Sequence, residues 1–363
     1  MTTKRPRRFT AAAMLAILLL LPLVIPLSGC TQIKAAQNSD VPEPEAQKPP
    51  TNPLTGEVVS SLDLISRRPL AVKVENDPKA RPQSGIIDAD LVYEELVEGG
   101  VTRFICIYLS KDPQAIGPTR SVRISDIDIT FFLNPLLICS GGAGNVIATV
   151  AASGMLYIEE DVAHFWRDRS RRAPHNLYTS STLLRQYLTE KGDGYYGQPV
   201  SGLVFKQPGG GEGQETSGET SGTEAQLGTP ATIIKIPYKA AICAAEYQYD
   251  AASNSYLHSI NGTPHTDQTT GRRVAPRNVI VQFIKVVDSG QRDVTGAPVP
   301  TSQVVGSGKC MVFSGGKVYN GTWKKSGRSS PTEFFDSEGK AIELEPGQTW
   351  IHLVTDDIGA TYQ

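Results

Sequence analysis

The sequence predicts an α+β protein in which an N-terminal mixed α/β part and a C-terminal, mainly antiparallel β part follow a lipoprotein signal peptide. Three observations carry that expectation. In residues 54–206, short apolar runs of strand length are interspersed with stretches of helical spacing. In residues 231–363 the apolar runs recur about every ten residues between Gly-containing turns, the rhythm of antiparallel strands. Between the two lies 207–230, rich in Gly, Glu, Ser and Thr, with Glu-Thr-Ser-Gly repeated from 215 and from 219. With almost nothing apolar to bury, it reads as a disordered linker. A chain of 363 residues, 39% hydrophobic, is long enough to build a core in each part.

Residues 1–29 read as the leader. Lys4, Arg5, Arg7 and Arg8 precede an apolar run from Ala11 to Ile25, too short and wrongly flanked for a membrane span. The run leads into Leu27-Ser28-Gly29-Cys30, which resembles the lipobox of bacterial lipoproteins. Small Ser28 and Gly29 let a peptidase approach the backbone, and Cys30 carries the thiol to be acylated. The resemblance implies cleavage before Cys30 and a palmitate-type anchor on it, with several chains, because one alone binds a bilayer only marginally. The protein would then sit on the outer face of the bacterial cytoplasmic membrane. Residues 30–53, with prolines at 42, 44, 49, 50 and 53, read as an extended tether reaching roughly 70 Å at about 3.1 Å per residue. In that compartment Cys106, Cys139, Cys243 and Cys310 have three possible pairings. Surroundings such as Ile105-Cys106-Ile107 favour buried free thiols instead.

The folded part opens on turn residues, Asn52-Pro53-Leu54-Thr55-Gly56. Apolar runs at 70–75, 90–97 and 101–109 predict strands, and Gly99-Gly100 a hairpin between the last two. Residues 123–133 carry Ile124, Ile127, Phe131 and Phe132 at helical spacing before Pro135. A buried strand at 136–139 then feeds Gly141-Gly142-Ala143-Gly144 and a helix over 145–152. The clearest helix covers 179–191, with Ser180 or Ser181 as N-cap and Gly192 as stop. In the second part, strands are predicted at 232–236, 246–249, 255–257, 278–287, 309–313, 317–323, 332–335 and 349–354. Turns are expected at Asn261-Gly262, Ser314-Gly315-Gly316, Asn320-Gly321 and Glu338-Gly339. The nearly unbroken apolar run 278–287 belongs at a sheet centre.

Charge and motifs narrow the function classes. Beyond residue 29 the chain has 31 basic against 37 acidic residues, a net of −6, which gives it no electrostatic reason to seek nucleic acid. Gly-x-Ser-x-Gly, P-loop, dinucleotide, HExxH and CxxC signatures do not occur, so no cofactor is predicted and no catalytic motif is assembled. What stands out is charge inside apolar runs, where an unpaired charge is costly. Asn76, Arg81, Arg103, Arg120, Arg123, Arg167, Arg171, His175 and Asn176 are the binding candidates, since guanidinium forks match carboxylate or phosphate. Equally, those arginines could pair inside the fold with Asp168, Glu94, Glu95 and Glu98. His175 as general base, with Glu75, Glu94 or Glu98 as acid, would make a hydrolase. His265 and Asp267 share one side of an extended segment, but no third ligand is spaced to join them, so no metal is predicted. Cys139-Ser140 before the Gly-rich turn could hold a nucleophile, and Trp323 and Trp350 are either core or sugar-stacking platforms.

Longer motifs carry a resemblance. Glu75-Asn76, Ala80-Arg81-Pro82-Gln83, Val92-Tyr93-Glu94, Val97-Glu98-Gly99-Gly100, Thr102-Arg103-Phe104, Gly117-Pro118, Arg120-Ser121-Val122-Arg123 and Ala173-Pro174-His175-Asn176-Leu177-Tyr178 resemble the YerB-like family of bacterial lipoproteins. Asn261-Gly262, His265, Asp267, Asn278-Val279-Ile280-Val281-Gln282, Gly321-Thr322-Trp323-Lys324 and Pro346-Gly347-Gln348-Thr349-Trp350-Ile351 extend it to the second part. The resemblance implies a two-part fold of unknown function outside the membrane, linked to cell-wall synthesis or division machinery, and transfers no catalytic residue. Family members often carry His near the turn at 139–142, where this chain has Cys139-Ser140, which weakens a case for chemistry there. The expected function is a non-catalytic binding or regulatory lipoprotein that recognises an anionic wall ligand, peptidoglycan or a cell-wall synthesis protein. The alternatives are a wall polymer or peptide hydrolase using His175, and a structural scaffold.

Overall fold

The Leu70–Glu75 strand shows how the centre of the protein is built: all six residues are buried, and it lies antiparallel to Thr102–Tyr108 and parallel to Leu136–Cys139. A strand covered on both faces needs apolar side chains at nearly every position rather than at alternate ones. The structure, a computed structural model, describes residues 49–193, 197, 199–207 and 228–363. The leader, Cys30, most of the tether and most of the predicted linker lie outside the described residues.

One eleven-stranded sheet runs through both halves of the sequence. From one edge the order is Glu333–Asp336, Lys317–Lys325, Gly306–Ser314, Asn278–Phe283, Thr349–Val354, Leu91–Leu96, Thr102–Tyr108, Leu70–Glu75, Leu136–Cys139 and Tyr157–Glu159, with Thr229–Pro230 beside Lys317–Lys325. Thr349–Val354 is the join, parallel to Asn278–Phe283 on one side and to Leu91–Leu96 on the other. The N-terminal portion of the sheet is mixed. The C-terminal half adds a five-stranded antiparallel sheet, ordered Thr263–Pro264, Ser255–Ile260, Ala245–Asp250, Ile233–Ile236 and Thr361–Tyr362. The α+β expectation therefore stands. Alternate residues of the central strands feed two apolar layers: Val72, Phe104 and Trp350 in one, Ala71, Ile105 and Ile351 in the other.

Among the described residues three short α-helices complete the fold: α1 (Ile124–Thr130), α2 (Val146–Ala152) and α3 (Ser181–Glu190). Ser180 caps α3, its hydroxyl accepting from the Leu183 N–H at 3.2 Å, and Gly192 follows with a positive φ of 74°. The Gly99-Gly100 hairpin and the Asn261-Gly262 turn form as expected. Asn320-Gly321 does not make a turn. Both residues lie inside the Lys317–Lys325 strand, where Asn320 pairs with Met311 and Gly321 leaves room for the carbonyl of Phe335, which a Cβ would strike. The predicted strand 278–287 is two strands: Asn278–Phe283 in the sheet interior, and Lys285–Arg292, which leaves the sheet to pair with Pro298–Gln303. All four described cysteines are buried and free.

Candidate functional site

Arg103, Arg120 and Arg123 come together at one cavity of ≈ 330 Å³, with Glu98, Arg292 and Asp293 also in its wall. Arg103 is placed by the sheet, opposite Glu75 in the register between Leu70–Glu75 and Thr102–Tyr108. Arg120 is held because its backbone N–H donates to the Lys73 carbonyl at 2.9 Å. Arg123 precedes α1, and the Asp126 carboxylate accepts its backbone N–H at 2.8 Å.

The three guanidinium groups are not equally engaged. Arg123 donates to the carbonyls of Val122 (2.9 Å) and Ser121 (3.3 Å) and forms an ion pair with Glu98. Arg103 donates only from Nη1, to the Ser121 carbonyl at 3.0 Å, and has no ion pair among the described residues. Arg120 places Nε 3.1 Å from Glu75 Oε1, and neither of its terminal nitrogens has a partner among the described residues. Burial, together with the like charges of Arg123 and Arg120, pulls the Arg103 guanidinium down to about 10, against the opposing pull of Glu98 and Glu75. Burial raises the Glu75 carboxyl, opposed by Arg120 and His175. The cavity therefore presents unfilled cationic donors that repel one another, an arrangement that an entering anion would relieve.

His175 lies beside this cluster, Nδ1 3.0 Å from Glu75 Oε1. Of the three carboxylates considered with it, Glu75 is the one in contact. Glu98 is taken by Arg123. Glu94 is buried elsewhere, accepting from Thr102 Oγ1 at 2.6 Å and Asn76 Nδ2 at 3.3 Å and lying 3.2 Å from His352 Nδ1.

The remaining binding candidates tie loops together. Arg81, lowered by burial, donates to the carbonyls of Asn76 (2.6 Å) and Ile242 (2.8 Å) and to Asn76 Oδ1 (3.0 Å). Arg171 donates to the carbonyls of Ala80 and Pro82, both at 2.7 Å, and to Gln268 Oε1 at 3.2 Å. On the exposed Trp166–Arg167 strand, Arg167 pairs with Glu160 at 3.0 Å and reaches Asn176 Oδ1 at 3.1 Å. Asn176 Nδ2 in turn donates to the Asp168 carbonyl at 3.0 Å.

His265 and Asp267 are spent on structure. Buried His265 contacts His258 Nδ1 at 2.9 Å and Gln83 Oε1 at 2.8 Å, while Asp267 accepts from the N–H groups of Thr269, Thr270 and Ile86. No group of three or more metal-ligating side chains occurs among the described residues. Burial pushes the Cys139 thiol up to about 12, so it is not a thiolate near neutrality. Trp323 and Trp350 are buried core residues, Trp350 fully so, and the Trp323 indole N–H donates to the Phe283 carbonyl at 2.8 Å.

Sequence reasoning missed three groups. Lys73 is fully buried between Glu95 and Asp126, 2.7 Å from Asp126 Oδ1. Burial would raise Glu95, but the Lys73 ammonium holds it down to about 2; burial and the Glu95 charge push Asp126 up to about 8. A lysine inside the run Leu70–Val74 was the available signal. His352, which accepts or donates through Tyr247 Oη (2.7 Å) and Tyr238 Oη (3.0 Å), sits in a strand whose pattern is otherwise apolar. Arg292 reaches the cavity from the Lys285–Arg292 hairpin strand, and nothing in its local sequence marks it.

Comparison with known proteins fits this architecture. Residues 54–195 match the family described as "Protein of unknown function (DUF3048) N-terminal domain", and residues 234–351 match its C-terminal domain. "Putative lipoprotein YerB" of Bacillus subtilis (strain 168) is 31% identical over 320 residues, which is 86% of this chain and 88% of that protein. The chain belongs to the YerB-like family. The crystal structure of YerB from Bacillus subtilis superposes with a TM-score of 0.72 at 28% identity, covering 86% of this chain and 99% of that one. No helix among the described residues is long and apolar enough to cross a membrane.

Proposed function

We propose that this YerB-like protein is a non-catalytic binding or regulatory lipoprotein of the cell envelope, anchored through acylated Cys30 on the outer face of the cytoplasmic membrane, which captures an anionic wall ligand or a cell-wall synthesis partner at the Arg103–Arg120–Arg123 cavity. The observation that carries the reading is Arg103: half-buried, cationic, beside two other arginines, and without an ion pair among the described residues. An anion supplies the missing counter-charge and receives charge-assisted hydrogen bonds. The lipobox-like Leu27-Ser28-Gly29-Cys30 and the name of the Bacillus relative support the anchor.

The test is binding of purified protein to soluble anionic wall fragments and to the ectodomains of wall-synthesis proteins. Arg120→Ala is expected to weaken binding at least tenfold, and Arg171→Ala, remote in role from the cavity, to leave it within twofold. Equal affinity of wild type and Arg120→Ala would remove the site. One observation favours a second reading: the His175–Glu75 contact at 3.0 Å orients an imidazole as a general base requires. A hydrolase built on it would act on wall polymer or peptide, and zymography separates it from the binding protein.

A further inference from the structure

We infer that the anion taken by the arginine cavity is the phosphate group of a small polyol phosphate, a phosphorylated glycerol or a similar non-aromatic alcohol; the inference rests on the anion-binding reading above and specifies its ligand. The first ground is the number of free donors. Arg103 leaves Nε and Nη2 unpartnered, and Arg120 leaves both terminal nitrogens, among the described residues. Four N–H-bearing nitrogens approaching from two separate side chains suit an oxyanion with three or four oxygens spread over a tetrahedron. A planar carboxylate, with two oxygens, is satisfied by one guanidinium fork and leaves the other idle.

The second ground is an unmatched acceptor in the same wall. Glu98 spends one oxygen on Arg123, while its Oε1 is buried and has no hydrogen-bond donor. A buried acceptor left open costs about 1–3 kcal/mol, which a ligand hydroxyl would recover and a bare inorganic anion without a free hydroxyl would not. Asp293, also in the wall, can accept a second hydroxyl. The third ground is what the cavity lacks: no aromatic ring lines it among the described residues, so none of them offers a nucleobase or a sugar ring a stacking face. A volume of ≈ 330 Å³ lies at the small end of ligand pockets. Phosphate oxygens on Arg103 and Arg120, with a neighbouring hydroxyl on Glu98, use the free guanidinium donors and the open carboxylate oxygen together.

The test is isothermal titration of the full chain in detergent micelles with sn-glycerol 3-phosphate, inorganic phosphate, sulfate, acetate and glycerol. Glycerol 3-phosphate is expected to bind at least tenfold tighter than acetate and to lose at least tenfold in Arg120→Gln. Glu98→Ala is expected to abolish its advantage over sulfate, an anion with no hydroxyl. Because Glu98→Ala also removes a partner of Arg123, Arg292→Gln at the exposed rim serves as the second variant, with a several-fold loss expected for the phosphate ligands and none for acetate. Displacement of bound glycerol 3-phosphate by phosphatidylglycerol vesicles, and not by phosphatidylcholine vesicles, identifies a lipid headgroup source; displacement by soluble poly(glycerol phosphate) alone identifies a polymer source. Acetate binding as tightly as glycerol 3-phosphate overturns the polyol phosphate inference and leaves the anion site standing. No binding by any of the anions overturns both.

Discussion

Acid should loosen this fold through His265, and His265→Gln should remove the part of that response due to His265. His265 is buried between His258 and Gln83, and burial, with the charges of Arg81 and Arg273, pulls its pKa from 6.5 to about 3. The folded protein thus keeps a neutral imidazole across a window in which the unfolded chain protonates it. Where the unfolded state binds more protons, stability falls with falling pH, so the loss begins near 6.5 and is complete only near 3. At 1.36 kcal/mol per pKa unit, moving from pH 7 to pH 5 removes about 2 kcal/mol on account of His265 alone. His258, also lowered by burial and by His265 and His352, adds in the same direction. Asp126 opposes both: its folded pKa, raised to about 8, gives stability that is present at low pH and lost as pH rises. The useful quantity is therefore the difference between two proteins and not one protein's curve. Urea unfolding of wild type and His265→Gln at pH 7 and pH 5 should show the wild type losing about 2 kcal/mol more than the variant over that interval. Parallel losses in the two proteins would refute the assignment of a neutral buried His265.

Three other outcomes are expected. Lys73→Met strips the ammonium from Glu95 and Asp126 and should cost about 3–5 kcal/mol in urea unfolding, as for other buried charges that lose a partner. Arg171→Ala removes two charge-assisted hydrogen bonds to the Ala80 and Pro82 carbonyls and should cost on the order of 2–4 kcal/mol, read as a lower melting temperature with anion affinity unchanged. In zymograms on wall polymer, wild type and His175→Ala are expected to be equally silent; clearing by wild type that disappears in His175→Ala would install the hydrolase.

Elements whose determinants are local were legible in the sequence. Helix α3 carries its own cap at Ser180 and its own stop at Gly192, and the Gly99-Gly100 hairpin needs no information beyond its flanks. Asn320-Gly321 misled for the complementary reason. The same dipeptide serves a tight turn or a strand that another backbone approaches closely, and only the position of Phe335 decides between them. The insertion of Thr349–Val354 between Asn278–Phe283 and Leu91–Leu96 was likewise out of reach, because apolar periodicity reports that a strand is buried and not which distant strand lies beside it. The break after Phe283 was invisible in an apolar run that continues through Val287.

The arginines divide along the same line, and the division is why the site narrows to fewer residues than the sequence offered. Arg171 lies in the densest arginine run of the chain, which on composition alone is the better anion site. Its guanidinium instead meets two main-chain carbonyls and Gln268, partners brought by loops some ninety residues away in either direction, and main-chain carbonyls leave no trace in a sequence. Arg103 sits alone in a strand between Thr102 and Phe104, where the pattern suggests pairing with a cross-strand acid. Its cross-strand neighbour Glu75 does exist, but that carboxylate is shared by Arg120 and His175, so Arg103 is left with a carbonyl and open donors. A cation's partners, and hence its freedom to bind a ligand, depend on how many other cations compete for each acid. That competition is settled by the register of the sheet, which leaves open donors on Arg103 and Arg120 while Arg171 is spent on main-chain carbonyls.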